Sequence, residues 1–281
     1  MEAMIRVLLL LLVTSNLCAQ SERMYFPVWV VLDTFPPPDF QRVGWDMELE
    51  ITGGLHPSVV DFEIMKNTGD VFSRHVWPIQ ANETLILKSS TFSLFRGVGY
   101  ARFRVLPAAG FRGTEPAIIV EAEWWQTVDG RRPSMSSISA KPLIDANWRI
   151  FNYKNRDDGF GTTSLACVSE EPQTVDLQVH IPQAAPGAPV LDCSFPGGVF
   201  SRELFSFSPR FDTDGKQVFR EDGTPAVKSA QWLGLLESAA RCTKNTNGKA
   251  RLISTNALAC ITLTAHADGS FTEGKIGIEA R

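Results

Sequence analysis

The chain lacks the sequence motifs of the common enzyme classes. It contains no Gly-x-Ser-x-Gly, no His-Glu-x-x-His, no phosphate-binding Gly-x-x-x-x-Gly-Lys-Ser/Thr and no dinucleotide-binding motif. An excess of one charge is missing as well, because 27 Lys and Arg residues stand against 31 Asp and Glu residues, a net charge of -4. Such a balance offers no basic field to nucleic acid. We therefore expect a protein that is not an enzyme, holds no cofactor and does not bind nucleic acid.

Long apolar runs are also missing, apart from one near the amino terminus. Arg6 precedes an apolar run at residues 7–13, and Ala19 ends the segment after a short polar stretch. This is the pattern of a secretory signal peptide, residues 1–19, that is cleaved after Ala19. A membrane helix needs about 20 apolar residues, and this run is much shorter. The sequence predicts an exported protein, secreted, periplasmic or extracellular, without a transmembrane segment.

Cysteine is scarce and unevenly placed. Of the 5 cysteines, Cys18 lies in the predicted signal peptide and the others lie in the second half of the chain. No Cys-x-x-Cys pair is present and the 4 histidines are scattered, so the pattern favours disulfides over the alternative of a metal site. The sequence predicts two disulfides, with all three pairings open, among Cys167, Cys193, Cys242 and Cys260.

Alternation of apolar and polar residues is the dominant pattern. In residues 45–51 (WDMELEI), Trp45, Met47, Leu49 and Ile51 alternate with acidic residues, as in a half-buried antiparallel strand. Helical periodicity in the mature chain is confined to residues 229–241. Many short alternating segments bounded by Gly, Pro, Asn or Asp predict an all-β protein of packed antiparallel sheets with one short helix.

The sequence contains an internal repeat. Residues 57–64 (PSVVDFEI) recur at 172–179 (PQTVDLQV), and 101–103 (ARF) are echoed at 250–252 (ARL). Between the copies, residues 129–142 are rich in Ser and Pro without a sustained apolar face, which is typical of a linker. We predict two tandem β-sandwich domains, residues 20–135 and 136–281, the second carrying an inserted hairpin and the short helix.

Weak motifs of the second half resemble a group of bacterial secreted proteins. The residues concerned are Thr163, Leu165, Pro172, Val175 and Leu177, followed by 251–254 (RLIS), 257–263 and 269–272 (GSFT). The resemblance implies tandem immunoglobulin-like β-sandwich domains in a surface or matrix component, and it supplies no catalytic residues.

The candidate binding face lies in the first half. Trp125 has the same strand parity as Glu121 and Glu123, and Tyr100 has the same parity as Arg102 and Arg104. These four residues, Trp125, Tyr100, Arg102 and Arg104, are therefore predicted to be exposed and to form a partly basic, partly aromatic face. The ligand would be a protein or a glycan at the cell surface. Solvated surface is the alternative interpretation of the same pattern.

Two groups of acids are weaker candidates. Asp212 and Asp214 precede a glycine, as at the start of some calcium loops, although a simple Asp-Gly hairpin turn explains them as well. A catalytic carboxylate pair is the hypothesis for the second group, and an ordinary solvated sheet face is its alternative. The members of that group are Asp46, Glu48, Glu50, Asp61 and Glu63.

These observations favour an exported, non-catalytic β-sandwich protein that acts as an extracellular or cell-envelope interaction or structural module. A carbohydrate-binding or carbohydrate-active protein is one alternative. A pilus-like or matrix subunit whose edge strands pair between molecules is another.

Overall fold

The computed structural model describes residues 23–31, 43–66, 68–109, 118–128, 131–155, 163–181, 191–199, 204–207, 246–265 and 271–280. Almost all of them lie in antiparallel strands, which confirms the all-β, sandwich-type fold. In this part of the chain, no helix is long and apolar enough to cross a bilayer. The predicted signal peptide, inserted hairpin and helix at 229–241 lie outside the described residues.

One short helix accompanies eighteen strands in the described part of the chain. The helix is α1 (Ser89–Phe92). The strands are β1 (Met24–Val31), β2 (Val43–Thr52), β3 (Ser58–Lys66), β4 (Val71–Ile79), β5 (Thr84–Lys88), β6 (Gly97–Pro107), β7 (Ile119–Val128), β8 (Arg131–Ser139), β9 (Lys141–Pro142), β10 (Ala146–Asn155), β11 (Thr163–Val168), β12 (Gln173–Ile181), β13 (Leu191–Val199), β14 (Leu204–Phe207), β15 (Thr246–Ser254), β16 (Ala259–Ala265), β17 (Phe271–Gly274) and β18 (Ile276–Ala280).

The strands form four sheets whose order repeats. Sheet I has the order β4-β3-β6-β1-β9 and sheet II the order β5-β2-β7-β8. Sheet III, β13-β12-β15-β10-β18, and sheet IV, β14-β11-β16-β17, have the same orders with every strand number raised by nine. We call β1–β9 the first unit and β10–β18 the second unit. The repeated segments 57–64 and 172–179 coincide with β3 and β12, which occupy equivalent places.

The stretch in which the domain boundary was predicted contains two strands. Residues 131–139 are β8, which pairs with β7, and residues 141–142 are β9, which pairs with β1. Only one side of an edge strand needs to be apolar, and Ile138 supplies a fully buried side chain there. The predicted boundary between residues 135 and 136 falls within β8. The division into two domains, and their immunoglobulin-like character, stay predictions.

Aromatic side chains form the core between sheets I and II. The ring centroid of Phe62 on β3 lies 5.2 Å from that of Trp29, 5.6 Å from Trp77, 6.3 Å from Phe92 and 6.4 Å from Phe103. On β2, the alternation predicted from the sequence is realised, because Met47, Leu49 and Ile51 are fully buried. The β-period places the strand residues among them on inner faces of the two sheets, and Phe92 of α1 adds its ring to the same apolar layer.

A disulfide joins β11 to β16. Cys167 and Cys260 are directly opposite each other in sheet IV, with their Cα atoms 4.2 Å apart. The bond closes a loop of 93 residues and contributes about 2 to 4 kcal/mol, chiefly by restricting the unfolded chain. The side chain of Cys193 and the whole of Cys242 lie outside the described part of the structure, so the second predicted disulfide stays a prediction.

Candidate functional site

The predicted exposure of Tyr100 and Arg102 is wrong. Tyr100 is fully buried and Arg102 is only 4% exposed. Both side chains have the strand parity of the outer face of sheet I, and Glu170 of the second unit binds Arg102 there. Of the four residues of the predicted face, Arg102 contacts the second unit of the same chain, and the binding of a separate partner by this face stays a prediction.

A carboxylate of the second unit lies at the centre of this junction. Glu170, in the turn between β11 and β12, accepts hydrogen bonds from the Tyr25 hydroxyl and from Arg102 Nη1, both at 2.7 Å. Arg102 Nε also donates to Glu63 of β3 at 2.6 Å. Arg23 lies 3.7 Å from the same Glu170 oxygen. The buried guanidinium thus links two strands of the first unit to a turn of the second.

The junction shifts the pKa values of two of its groups. Burial alone would raise the pKa of Glu170, but the hydrogen bond from Tyr25 and the charge of Arg102 outweigh it and hold that pKa below its ordinary 4.5. Burial, followed by the hydrogen bond to Glu170, raises the pKa of the Tyr25 phenol above its ordinary 10.0. At neutral pH, a neutral phenol therefore donates to an ionised carboxylate, which is the stronger type of hydrogen bond.

Apolar packing extends the junction beyond its ion pairs. The buried cluster that contains Phe62 and Trp29 also includes five residues on the outer face of β11 and β16. These strands contact β1 of the first unit. The five residues are Ala166, Val168, Ala259, Ile261 and Leu263. The apolar cluster of the first unit therefore extends onto the outer face of sheet IV in the second unit.

A second polar contact joins the units near the amino-terminal end of β1, where Lys141 of β9 is directly opposite Tyr25. The backbone N–H and hydroxyl of Ser139 donate to Glu273 of β17 at 2.9 and 3.0 Å, and Lys141 forms an ion pair with the same carboxylate. A cavity of about 390 Å³ lies beside this contact. Its wall includes Arg149, which is 2% exposed and donates to Ser254 Oγ at 2.9 Å and to backbone carbonyl groups. Arg149 thus joins several chain segments.

Arg104, the fourth residue of the predicted face, is ion-paired. Its Nε donates to Asp61 at 3.0 Å, and Arg74 of β4 donates to both oxygens of that carboxylate at 2.6 and 2.8 Å. The hydrogen bond from Arg74 is the largest influence that lowers the pKa of Asp61 below its ordinary 3.8. The arginines of sheet I that were predicted to form a basic surface are therefore each paired with a carboxylate of β3.

The acids considered as a catalytic group do not gather on one face. Asp61 and Glu63 lie on β3 of sheet I, whereas the others lie on β2 of sheet II. On sheet II, Glu48 is directly opposite Glu123 and Glu50 is directly opposite Glu121. Within the described residues, no group of three or more His, Cys, Asp or Glu side chains could hold a metal ion.

The side chains of two predicted sites lie outside the described part of the structure. The backbone of Trp125 lies in β7, opposite Asp46 on one side and Met135 on the other, while its side chain is outside the described part. The weak calcium candidates Asp212 and Asp214 also lie outside the described residues. The glycan and calcium hypotheses for these residues stay predictions.

An exposed apolar surface that sequence analysis missed lies on the edge strand β4. Val71, Phe72 and Val76 are 49%, 40% and 55% exposed, and Leu94, just after α1, is 85% exposed. We call these four residues the β4 patch. The hydroxyls of Ser73 and Ser93 are 3.3 Å apart, and the rings of Phe72 and Phe95 are 5.3 Å apart, so the segment after α1 lies along β4.

The sequence does contain a signal for this patch. The segment of β4 (VFSRHVWPI) places apolar residues at inward and outward positions alike, although only one side of an edge strand is buried. Comparison with known proteins adds nothing further to the site: no family model matches the chain, and no curated protein is significantly similar to it.

Proposed function

We propose that this is an exported, non-catalytic β-sandwich protein that acts as an interaction or structural module at the cell surface or in the cell envelope. Its contact surface is the β4 patch, and its partner is a protein. The single observation that supports this most is the group of large apolar side chains exposed on an edge strand. Groups of exposed apolar residues commonly mark interaction sites, because burying them against a partner removes apolar surface from water.

The surroundings of the patch suit a preformed contact surface. Beneath β4, the His75 ring stacks on Trp77 at 5.4 Å with an interplanar angle of 6°, and Phe92 packs edge-on against both rings. Arg74 lies between Phe72 and Val76 in the sequence, but its guanidinium is bound to Asp61. The patch therefore presents apolar groups on a well-packed support, which reduces the entropy lost on binding.

A triple variant tests this function. Phe72→Ser, Val76→Thr and Leu94→Ser together should reduce capture of the envelope partner by the purified protein at least about tenfold, because central apolar contacts carry most of the energy of an interface. Capture is measured by quantitative mass spectrometry of proteins retained from the envelope fraction of the producing cells. The matched control, Leu55→Ser with Ile278→Thr, removes exposed apolar groups elsewhere.

Equal capture by both variants and the parent protein would contradict the role of the β4 patch. Binding of a glycan by the parent protein, lost in Trp125→Ala, would instead favour the carbohydrate-binding alternative.

A further inference from the structure

We propose that strand β4 pairs antiparallel with β4 of a second copy, so that sheet I of one chain continues into sheet I of the other. This inference rests on the proposed function, because it names a second copy of this chain as the partner of the β4 patch. Three observations support it: unpaired backbone groups on β4, a middle section without protective features, and a sequence that complements itself about His75.

The free edge of β4 carries unpaired backbone groups. Pro78 is directly opposite Val59 of β3, and a proline nitrogen cannot donate, so this pair is of the non-hydrogen-bonded type. Alternation along the strand then turns the N–H and C=O groups of Arg74 and Val76 away from β3. Within the described residues, β4 pairs with no strand but β3, and no backbone hydrogen bond from a loop reaches these groups. The middle of β4 is therefore open to a further strand.

Features that would hinder such pairing are confined to the two ends of β4. Edge strands are commonly protected by bulges, prolines, lysines or inward-pointing charges. In β4 the register is irregular between residues 71 and 73 and a proline occupies position 78, but residues 73–77 pair with β3 in unbroken register. The inward position at their centre is occupied by His75, and burial lowers its pKa below the ordinary 6.5, so the ring is neutral at neutral pH.

The sequence of β4 complements itself about a two-fold axis at His75. Antiparallel pairing in this register sets Arg74 of each copy opposite Val76 of the other. Both residues turn their backbone groups outward, so each such pair exchanges both of its hydrogen bonds. The Arg74 guanidinium is bound to both oxygens of Asp61, which leaves its methylene stem to cover the exposed valine methyl groups. The contact therefore joins backbone pairing to burial of apolar surface.

The neighbouring registers are less favourable. An axis at Arg74 sets two guanidinium groups directly opposite each other, and like charges in this position are destabilising. An axis at Val76 sets Arg74 opposite Pro78, which has no N–H to donate. The His75 register avoids both costs. Because each copy uses the same surface, the contact is isologous and closes as a dimer.

A backbone test replaces Val76 with proline. Val76→Pro removes an outward N–H from each copy and leaves the hydrogen bonds to β3 in place, so it should weaken dimerisation at least about tenfold. Val76→Thr is the matched control, because it keeps the N–H, and it should weaken dimerisation less than about threefold. Sedimentation velocity over a range of protein concentrations measures the dissociation constant, and circular dichroism checks that each variant is folded.

A cysteine variant tests the register, and it serves as the second test if Val76→Pro fails to fold. In His75→Cys the two thiols would face each other across the axis, in a non-hydrogen-bonded pair whose Cα atoms are about 4.5 Å apart, which is within disulfide range. Oxidised glutathione should convert this variant to a covalent dimer. In the control Ser73→Cys the two thiols would lie roughly 13 Å apart along the strands, so no covalent dimer should form.

Several results would overturn the proposal. They are a parent protein that stays monomeric at every concentration, growth beyond a dimer, dimerisation of Val76→Pro equal to that of the parent, and equal cross-linking at positions 73 and 75. Capture from the envelope fraction that still depends on the β4 patch would in each case leave the proposed function in place. Failure of this inference and failure of the proposed function are therefore separate results.

Discussion

Replacing Glu170 with alanine is expected to lower the free energy of unfolding by about 2 to 3 kcal/mol. The variant removes the acceptor for hydrogen bonds from Tyr25 and Arg102, and both donors remain buried at the junction. A buried donor without its partner keeps the full cost of its lost hydration. Urea unfolding followed by tryptophan fluorescence measures the change.

The adjacent acid provides the control for this prediction. Glu171 is exposed and lies in the same turn, so Glu171→Ala should change the free energy of unfolding by less than about 0.5 kcal/mol. Equal losses in the two variants would contradict the role assigned to Glu170 and would indicate a general effect on the turn.

The pH dependence of the Glu170 contribution has a defined sign. The pKa of Glu170 is lower in the folded protein than its ordinary 4.5, so the unfolded chain binds this proton more readily. The stabilisation is therefore complete above the ordinary value and is lost as pH falls through the lower folded value. The difference in stability between the parent protein and Glu170→Ala should be constant from pH 7 towards 4.5 and should shrink in more acidic buffer. A difference that grows on acidification would contradict this assignment.

Phe62→Ala is expected to cost about 3 to 5 kcal/mol, because it empties the centre of the aromatic core. The Phe62 side chain is fully buried and contacts rings from several strands and from α1. Thermal and urea unfolding both report the loss. Phe72→Ala is the matched control, since Phe72 is 40% exposed and has one ring contact, with Phe95, among the described residues. A cost for Phe72→Ala as large as that for Phe62→Ala would contradict the assignment of Phe72 to an exposed patch.

The strands could be predicted because their pattern is local. Alternation in residues 45–51 predicted which side of β2 is buried, and the repeated segments predicted that β3 and β12 are equivalent. The strands within 129–142, where the domain boundary was predicted, were missed because a Ser-rich edge strand resembles a polar loop in sequence. The local composition of a segment does not show which distant strand it pairs with in the sheet.

The candidate site was harder to predict, for a related reason. Alternation along β6 correctly places Tyr100, Arg102 and Arg104 on one face, but it does not reveal what covers that face. The covering group, Glu170, is 68 residues away from Arg102, and its contribution depends on how the second unit packs. The four cysteines left three pairings open, and only the strand register places Cys167 opposite Cys260. Contacts between residues distant in the sequence therefore determine which side chains of the site are buried and how they pair.

The apolar cluster shared by β1, β11 and β16 also has a mechanical consequence. Domains joined by a flexible linker reorient freely relative to each other, and each unfolds separately when the chain is pulled. Here, bending between the halves would expose Ile261 and its neighbours to water while pulling Tyr25 away from Glu170. Bending between the two units should therefore be opposed by the cost of exposing this cluster to water.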